Sequence, residues 1–123
     1  MEIAIKKYIE EKIPVLKDCL CPVFVTDISK LGASYTFTPL SGGHLSQSQL
    51  EIKIIDADYD LCKEVGYKLT DLMDMEEDES FVVYGGIKFH SGIAGGGTLF
   101  NDGCQRWENT LYFIIDWRKI NVI

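Results

Sequence analysis

The chain has 123 residues, of which 46% are hydrophobic and 25% are charged, and its formal net charge at pH 7 is −7. That length and composition predict one globular domain, residues 1–123, with an ordinary core. The acidic balance excludes a broad basic face for nucleic acid. The longest apolar run, residues 111–115, is far shorter than the ~20 residues that span a membrane. The N-terminus lacks the apolar stretch of a signal peptide, so we expect a cytoplasmic protein.

The first predicted element is an amphipathic helix from residue 2 to about residue 20. Its apolar residues fall on one side of a helical wheel, and they are Ile5, Tyr8, Ile9, Ile13 and Leu16. Pro14 has no amide hydrogen, so it should kink or end the first segment. Residues 23–25, Val-Phe-Val, then predict a short strand.

A hairpin is predicted next. Residues 34–40 alternate like a strand, with Tyr35 and Phe37 on one face, and Pro39 should end that strand or place it at a sheet edge. Residues 50–54 alternate in the same way. Because only a glycine-containing turn separates the two strands, we expect them to pair in antiparallel fashion.

The strand at residues 50–54 leads directly into a helix of roughly four turns. Asp58 is the predicted N-cap, because its carboxylate can accept from free amides of the first turn. The helix carries one apolar stripe, formed by Leu61, Cys62, Val65, Leu69, Leu72 and Met73. The strand and the stripe can bury each other, so residues 49–75 are the expected heart of the core. The acidic residues 76–79 predict a solvated loop.

The last third of the chain is predicted to hold two extended regions and a loop. Residues 81–89 read as one bent strand with a bulge or tight turn at Gly85-Gly86. Residues 91–101 are rich in glycine and predict a flexible surface loop. The final strand has one apolar face that only Asn109 interrupts, made by Trp107, Leu111, Phe113, Ile115 and Trp117. Its length favours a central place in the sheet.

These elements predict an α+β fold, with a single antiparallel or mixed sheet of four to six strands and two helices packed on one face. The predicted shared core consists of Leu50, Ile52, Ile54, Val65, Leu69, Leu111, Phe113 and Ile115.

No pattern in the chain is typical of an enzyme. The run Gly95-Gly96-Gly97-Thr98 lacks the lysine of a phosphate-binding loop, and no helical pattern follows it. His90, Ser91 and Asp102 could form a hydrolytic triad on paper, but no nucleophile elbow supports one. We therefore predict no catalytic activity and no cofactor.

The four cysteines are Cys19, Cys21, Cys62 and Cys104. Two disulfides are one reading, but without a secretory signal free thiols are favoured. A metal site could be composed from them with His44 and His90, yet the spacing matches no zinc template. We predict four free thiols and no metal.

A partner surface is predicted on two glycine-rich segments, residues 41–47 and 91–102. Their apolar residues cannot form a core by themselves, and exposed apolar residues on mobile loops are candidates for an interface. The alternative is that Leu99 and Phe100 fold back onto the sheet. The predicted interface residues are Leu45, Ile93, Gly95, Gly96, Gly97, Thr98, Leu99 and Phe100.

One family resemblance covers about two thirds of the chain, residues 47–118. The helix that begins Asp-Tyr-Asp-Leu at residue 58 and ends Leu-Thr-Asp-Leu-Met at residue 73 resembles the central helix of phage tail terminator proteins. These are also called tail completion, head-tail joining or minor capsid proteins. The strand at residues 50–56, the segment 97–103 and the strand at 106–117 are similar to the family pattern.

The resemblance implies a structural virion protein of a long-tailed phage or prophage. It would form a ring, expected to be hexameric, that caps the tail tube and joins it to the head connector. Its partners would be itself, the tail tube protein and the connector, first in the host cytoplasm and then at the tail-head junction. The competing reading is a small cytoplasmic ligand-binding or regulatory domain that uses residues 91–102 as a lid.

Overall fold

The computed structural model describes residues 1–25, 27–43 and 45–120. Within them, the predicted α+β fold is confirmed: two helices lie against a single mixed six-stranded sheet that curls as a half-barrel. The helices are α1 (Glu2–Lys12) and α2 (Tyr59–Met73), with a one-turn 3-10 helix at Pro14–Leu16. The strands are β1 (Leu20–Pro22), β2 (Gly32–Ser41), β3 (Ser46–Asp56), β4 (Val82–Tyr84), β5 (Ile87–Asn101) and β6 (Arg106–Lys119).

The strands lie in the order β1-β2-β3-β6-β5-β4. β1 pairs with β2 in parallel, and every other pair is antiparallel. The predicted hairpin is β2 and β3, which are paired from Gly32 opposite Ile55 onward. β6 lies between β3 and β5, so the prediction that the long last strand is central is confirmed.

The core forms between one face of the sheet and the two helices. Leu50 and Ile52 of β3 lie opposite Phe113 and Leu111 of β6, so both strands turn their apolar residues to the same side. Leu69 of α2 is fully buried against that face. All eight residues of the predicted core are buried.

Helix α2 begins where the sequence predicts. The Asp58 carboxylate accepts hydrogen bonds from the amides of Asp60 at 2.9 Å and Leu61 at 3.4 Å, which satisfies two free donors of the first turn. Helix α1 ends before Pro14, which opens the 3-10 turn instead of continuing the helix.

The strand predicted at residues 23–25 is wrong. Strand β1 is Leu20–Pro22, and the chain turns away at Val23, whose φ is 70°. The Val23 amide still donates to the Tyr35 carbonyl oxygen at 2.9 Å. Val23 and Phe24 are about two-thirds exposed. Residues of high β propensity favour a strand only where they pack on neighbouring strands, and these two do not.

The flexible loop predicted at residues 91–101 is also wrong, because these residues belong to β5 and pair with β6. The register shifts between Ile93 and Gly95. A side chain at Gly96 would collide with the Thr110 carbonyl oxygen, so the glycines let β5 pass close to β6.

Gly85 and Gly86 form a tight turn between two strands, β4 and β5, and not a bend in one strand. Both have positive φ, 59° and 82°, as a two-residue hairpin turn of this kind requires. His44, considered above as a metal ligand, lies outside the described residues.

Candidate functional site

Seven of the eight predicted interface residues lie on strand β5, six of them in its second half and Ile93 just before it. Leu45 does not join them, because it precedes β3 at the opposite end of the sheet and is 42% exposed. Phe100 pairs with Trp107 at one end of β6, and Ser46 pairs with Trp117 at the other. The structure therefore divides the predicted surface into two separate places.

The outer side of β5, away from β6, has three parts. Residues 87–89 pair with β4. Around Ser91 and Ile93, the segment that follows α2 covers the edge. From Gly95 to Asn101, no described segment pairs with this side of the strand. We call residues 95–101 the β5 free edge.

The middle part is closed by the end of helix α2. The Met75 amide donates to the Ser91 carbonyl oxygen at 2.9 Å, and the Ser91 hydroxyl donates to the Met73 carbonyl oxygen. The Ile93 amide donates to the Asp74 carboxylate at 3.1 Å. The last of these contacts is made by the Ile93 amide, and the β5 free edge begins two residues after it.

The alternation of the strand identifies the unpaired backbone groups. Ser91 and Ile93 direct theirs outward, as the contacts with Met75 and Asp74 show. Alternate residues point to opposite sides, and the extra residue at the bulge shifts that alternation by one. Gly96, Thr98 and Phe100 therefore direct their amides and carbonyls away from β6.

The side chains of the β5 free edge divide between the two faces. Phe100 lies against Trp107 with ring centroids 5.0 Å apart, and Trp107 contacts Tyr59 at 4.9 Å. Phe100 thus folds back onto the sheet, as the alternative reading expected, although it stays 39% exposed. Leu99 lies opposite Glu108 on the helix-free face and is 56% exposed.

A second free edge, which the sequence analysis did not identify as a site, lies on β2. β1 pairs only with residues 33–35, and no described segment pairs with the outer side of residues 36–41. We call these residues the β2 free edge. Pro39 lies within it, and Leu40 is 47% exposed. A proline inside a strand was the available signal, because proline is confined to unpaired edges.

A buried polar network holds the inner side of β5 in place. The Asn109 amide nitrogen donates to the Cys62 carbonyl oxygen at 3.1 Å, and its oxygen accepts from the Thr98 hydroxyl at 3.1 Å. Burial raises the pKa of the Cys62 thiol to about 11, so the thiol stays protonated and unreactive near neutral pH. This network joins α2, β6 and β5 and explains the polar break in the apolar face of β6.

The residues considered for catalysis do not come together. Ser91 is fully buried and donates to Met73, whereas the neighbouring His90 points to the opposite face and contacts the Glu76 carbonyl oxygen at 2.7 Å. The described residues contain no group of three or more histidine, cysteine or acidic side chains placed to hold a metal. All four cysteines are free.

The surface has open clefts, two of which have volumes of several hundred Å³. One of about 480 Å³ borders the β2 free edge and is lined by Phe37, Leu40 and Trp117 among others. The other, about 630 Å³, lies where Tyr84 of β4 meets α1, and its charged lining mixes Lys6 with Glu10. Neither cleft presents a convergent set of titratable groups, so neither indicates a reaction.

Among the described residues, no helix is both long and apolar enough to cross a membrane. The chain matches no protein-family model, and no curated protein sequence is significantly similar to it.

Proposed function

We propose that this protein is a structural protein that assembles with copies of itself into a ring, of the kind that caps a phage tail tube and joins it to the head connector. The observation that carries the proposal is the β5 free edge: seven uncharged residues, including the exposed Leu99, whose outer side has no strand partner among the described residues. Such an edge is suited to pairing with another chain.

The absence of charge on this edge supports the proposal. A quarter of the chain is charged, yet neither free edge contains a lysine, arginine, aspartate or glutamate. Proteins that remain monomeric commonly protect an exposed strand edge with charged side chains, above all lysine. The β5 free edge also lacks proline, so nothing on it prevents strand addition.

The ligand-binding alternative loses its main support. It needs residues 91–102 to open and close as a lid, whereas residues 91–101 are strand β5, hydrogen-bonded to β6 along their length. We therefore propose the ring alone.

The test is the mass of the purified protein in solution, together with negative-stain imaging. We expect ring-shaped particles with a mass six times that of the 13.9 kDa chain, and we expect them to bind the open ends of phage tail tubes. A protein that stays monomeric up to millimolar concentration, or rings that do not bind tail tubes, would contradict the proposal.

A further inference from the structure

We propose that neighbouring copies join by pairing their two free edges, residues 95–101 of β5 in one copy against residues 36–41 of β2 in the next. This inference rests on the proposed ring and identifies its contact. The six-stranded sheet of one copy would continue into the sheet of its neighbour. The occupant of each free edge is therefore a second copy of this chain.

The two edges match in length and in chemistry. One has seven residues and the other six, both are uncharged, and among the described residues neither has a strand partner on its outer side. They lie on opposite sides of the same sheet, since the strand order places β2 and β5 on either side of β3 and β6. A contact between two different edges is head-to-tail, which is the arrangement that generates rings.

The strand directions also agree. β2 and β6 run one way, and β3 and β5 run the other. If the next copy keeps its helices on the same side and its strands in the same direction, its β2 is antiparallel to β5. Antiparallel pairing is the more stable arrangement per residue.

The side chains limit the register to two choices. Tyr35 directs its carbonyl outward, towards Val23, so Phe37, two residues later, also has outward backbone groups and faces the helices. It must lie opposite a residue that does the same, which is Gly96, Thr98 or Phe100. Opposite Gly96, only three residues of each free edge would pair, so Thr98 and Phe100 are the two choices that use most of both edges. Thr38 then lies opposite Gly97 or Leu99 on the helix-free face.

Pro39 reduces the number of backbone hydrogen bonds that the contact can form. Its position in the alternation places its missing amide on the outer side of β2, so the β2 free edge offers fewer donors than the β5 free edge. Pairing β5 with β5 would close the assembly as a dimer and leave the β2 free edges uncovered. Pairing β2 with β2 would lose an amide donor from each copy. When β5 pairs with β2, every contact includes one β5 free edge, which has all of its amide donors.

The offset between the edges suits a closed ring. The midpoints Thr38 and Thr98 are about five residues apart in register, or ~17 Å along the strands at about 3.4 Å per residue. Four strand spacings of about 4.8 Å, roughly 19 Å, separate β2 of one copy from β2 of the next. Together they correspond to a strand tilt of about 40°, within the 35–45° typical of closed barrels.

Apolar side chains flank both edges. Leu40 is exposed on the β2 free edge, and Leu99 and Phe100 are exposed on the β5 free edge. Pairing the two edges would remove these side chains from water, which favours association beyond the backbone hydrogen bonds.

The test uses engineered cysteines on the helix-free face. Two double variants are made. One combines Thr38→Cys with Leu99→Cys, and the other combines Thr38→Cys with Gly97→Cys. Each matches one of the two registers. Residues directly opposite in an antiparallel pair bring their Cβ atoms to about 5 Å, close enough for a disulfide. On mild oxidation, we expect one of the double variants to give a ladder of covalent multimers on a non-reducing gel. The wild type and each single variant control for the four native thiols and should give none.

Imaging the same samples separates this inference from the proposed ring. A ladder from ring-shaped particles supports both. Rings without a ladder from either pair overturn the strand pairing and leave the ring intact. A ladder from open filaments supports the pairing and overturns the ring. A single variant whose engineered cysteine is joined to the same residue of another copy, as mass spectrometry of the linked peptides identifies, indicates a contact between identical edges and overturns the pairing. Monomers with native thermal melting overturn both.

Discussion

Gly66 lets helix α2 lie directly on β6. The Cβ of an alanine at residue 66 would collide with the amide nitrogen of Asn109, which donates to the Cys62 carbonyl oxygen. Alanine normally favours a helix over glycine by about 1 kcal/mol. Here we expect Gly66→Ala to destabilise by about 1–3 kcal/mol, because it displaces a buried hydrogen-bonded group.

Urea unfolding measures that loss, and Gly42→Ala is the matched control. No atom lies within 4 Å of a side chain at Gly42, so this substitution should change stability by less than ~0.5 kcal/mol. A stabilised Gly66→Ala variant would show that α2 can move away from β6 without cost.

Cys62 gives the protein a pH dependence in the alkaline range. Burial, and then the nearby Asp56 charge, raise its pKa from 9.0 to about 11 in the folded protein. The folded state therefore favours the protonated thiol: its contribution is complete below pH ~9 and is lost as the pH rises towards 11. We expect the stability difference between the wild type and Cys62→Ala to shrink between pH 8 and pH 11.

Chemical unfolding of both proteins across that range is the measurement. Tyrosine and lysine titrations occur in both and cancel in the difference. Parallel stability curves would mean that the Cys62 thiol ionises as readily in the folded protein as in the unfolded chain.

At the level of elements, helix α2 depends on its buried stripe. Leu69 is fully buried, whereas Tyr67, two residues earlier, is 64% exposed. We expect Leu69→Ala to cost about 2–5 kcal/mol, the range for truncating a buried leucine. Tyr67→Ala should cost less than ~1 kcal/mol, including its contact with Lys63 at 5.7 Å. Equal losses from the two variants in urea unfolding would place the core elsewhere.

The elements that could be predicted from the sequence are those whose signal is local. The cap at Asp58, the stripe of α2 and the alternation of β6 each lie within one segment, and all three agree with the structure. Strand β5 could not be predicted, since four glycines in residues 91–101 remove the side chains on which alternation is judged. Its structure depends on pairing with β6, which is not a local property.

The candidate site was predictable in part for the same reason. Apolar residues among glycines directed attention to Leu99 and Phe100, but the reason given, a mobile loop, was wrong. The β2 free edge depends on how soon β1 turns away at Val23, and no periodicity in the sequence reports that turn. Self-assembly and the phage role stay predictions.

For the whole molecule, Leu99 and Phe100 should behave differently. Leu99→Ser replaces an exposed apolar side chain with a polar one in the proposed contact, so we expect near-wild-type thermal melting with ring formation only at higher protein concentration. Phe100→Ser also removes the contact with Trp107 and should cost about 1 kcal/mol of stability. Ile3→Ser, at a position that is 68% exposed on α1, is the control and should melt and assemble normally. If Leu99→Ser forms rings as stable as those of the wild type, Leu99 is not part of the contact between copies.

Ionic strength is a second test for the whole molecule. Each copy carries a formal charge of −7, while the proposed contact is uncharged, so salt should weaken repulsion without weakening attraction. The screening length falls from about 30 Å at 0.01 M to about 8 Å at 0.15 M. We expect sedimentation to show more assembly as salt rises over that range. Dissociation by salt would indicate that ion pairs hold the copies together.

The central position of β6 also affects how the chain folds. β3 must pair with a strand that follows it by about sixty residues, as Leu50 does with Phe113, so a long loop has to close first. Chains dominated by such distant contacts fold in milliseconds to seconds, not microseconds. Until β6 docks, Leu50 and Ile52 lack their neighbours, and the unfinished sheet is open at its centre. Misfolding and aggregation are therefore most probable before the last strand is in place.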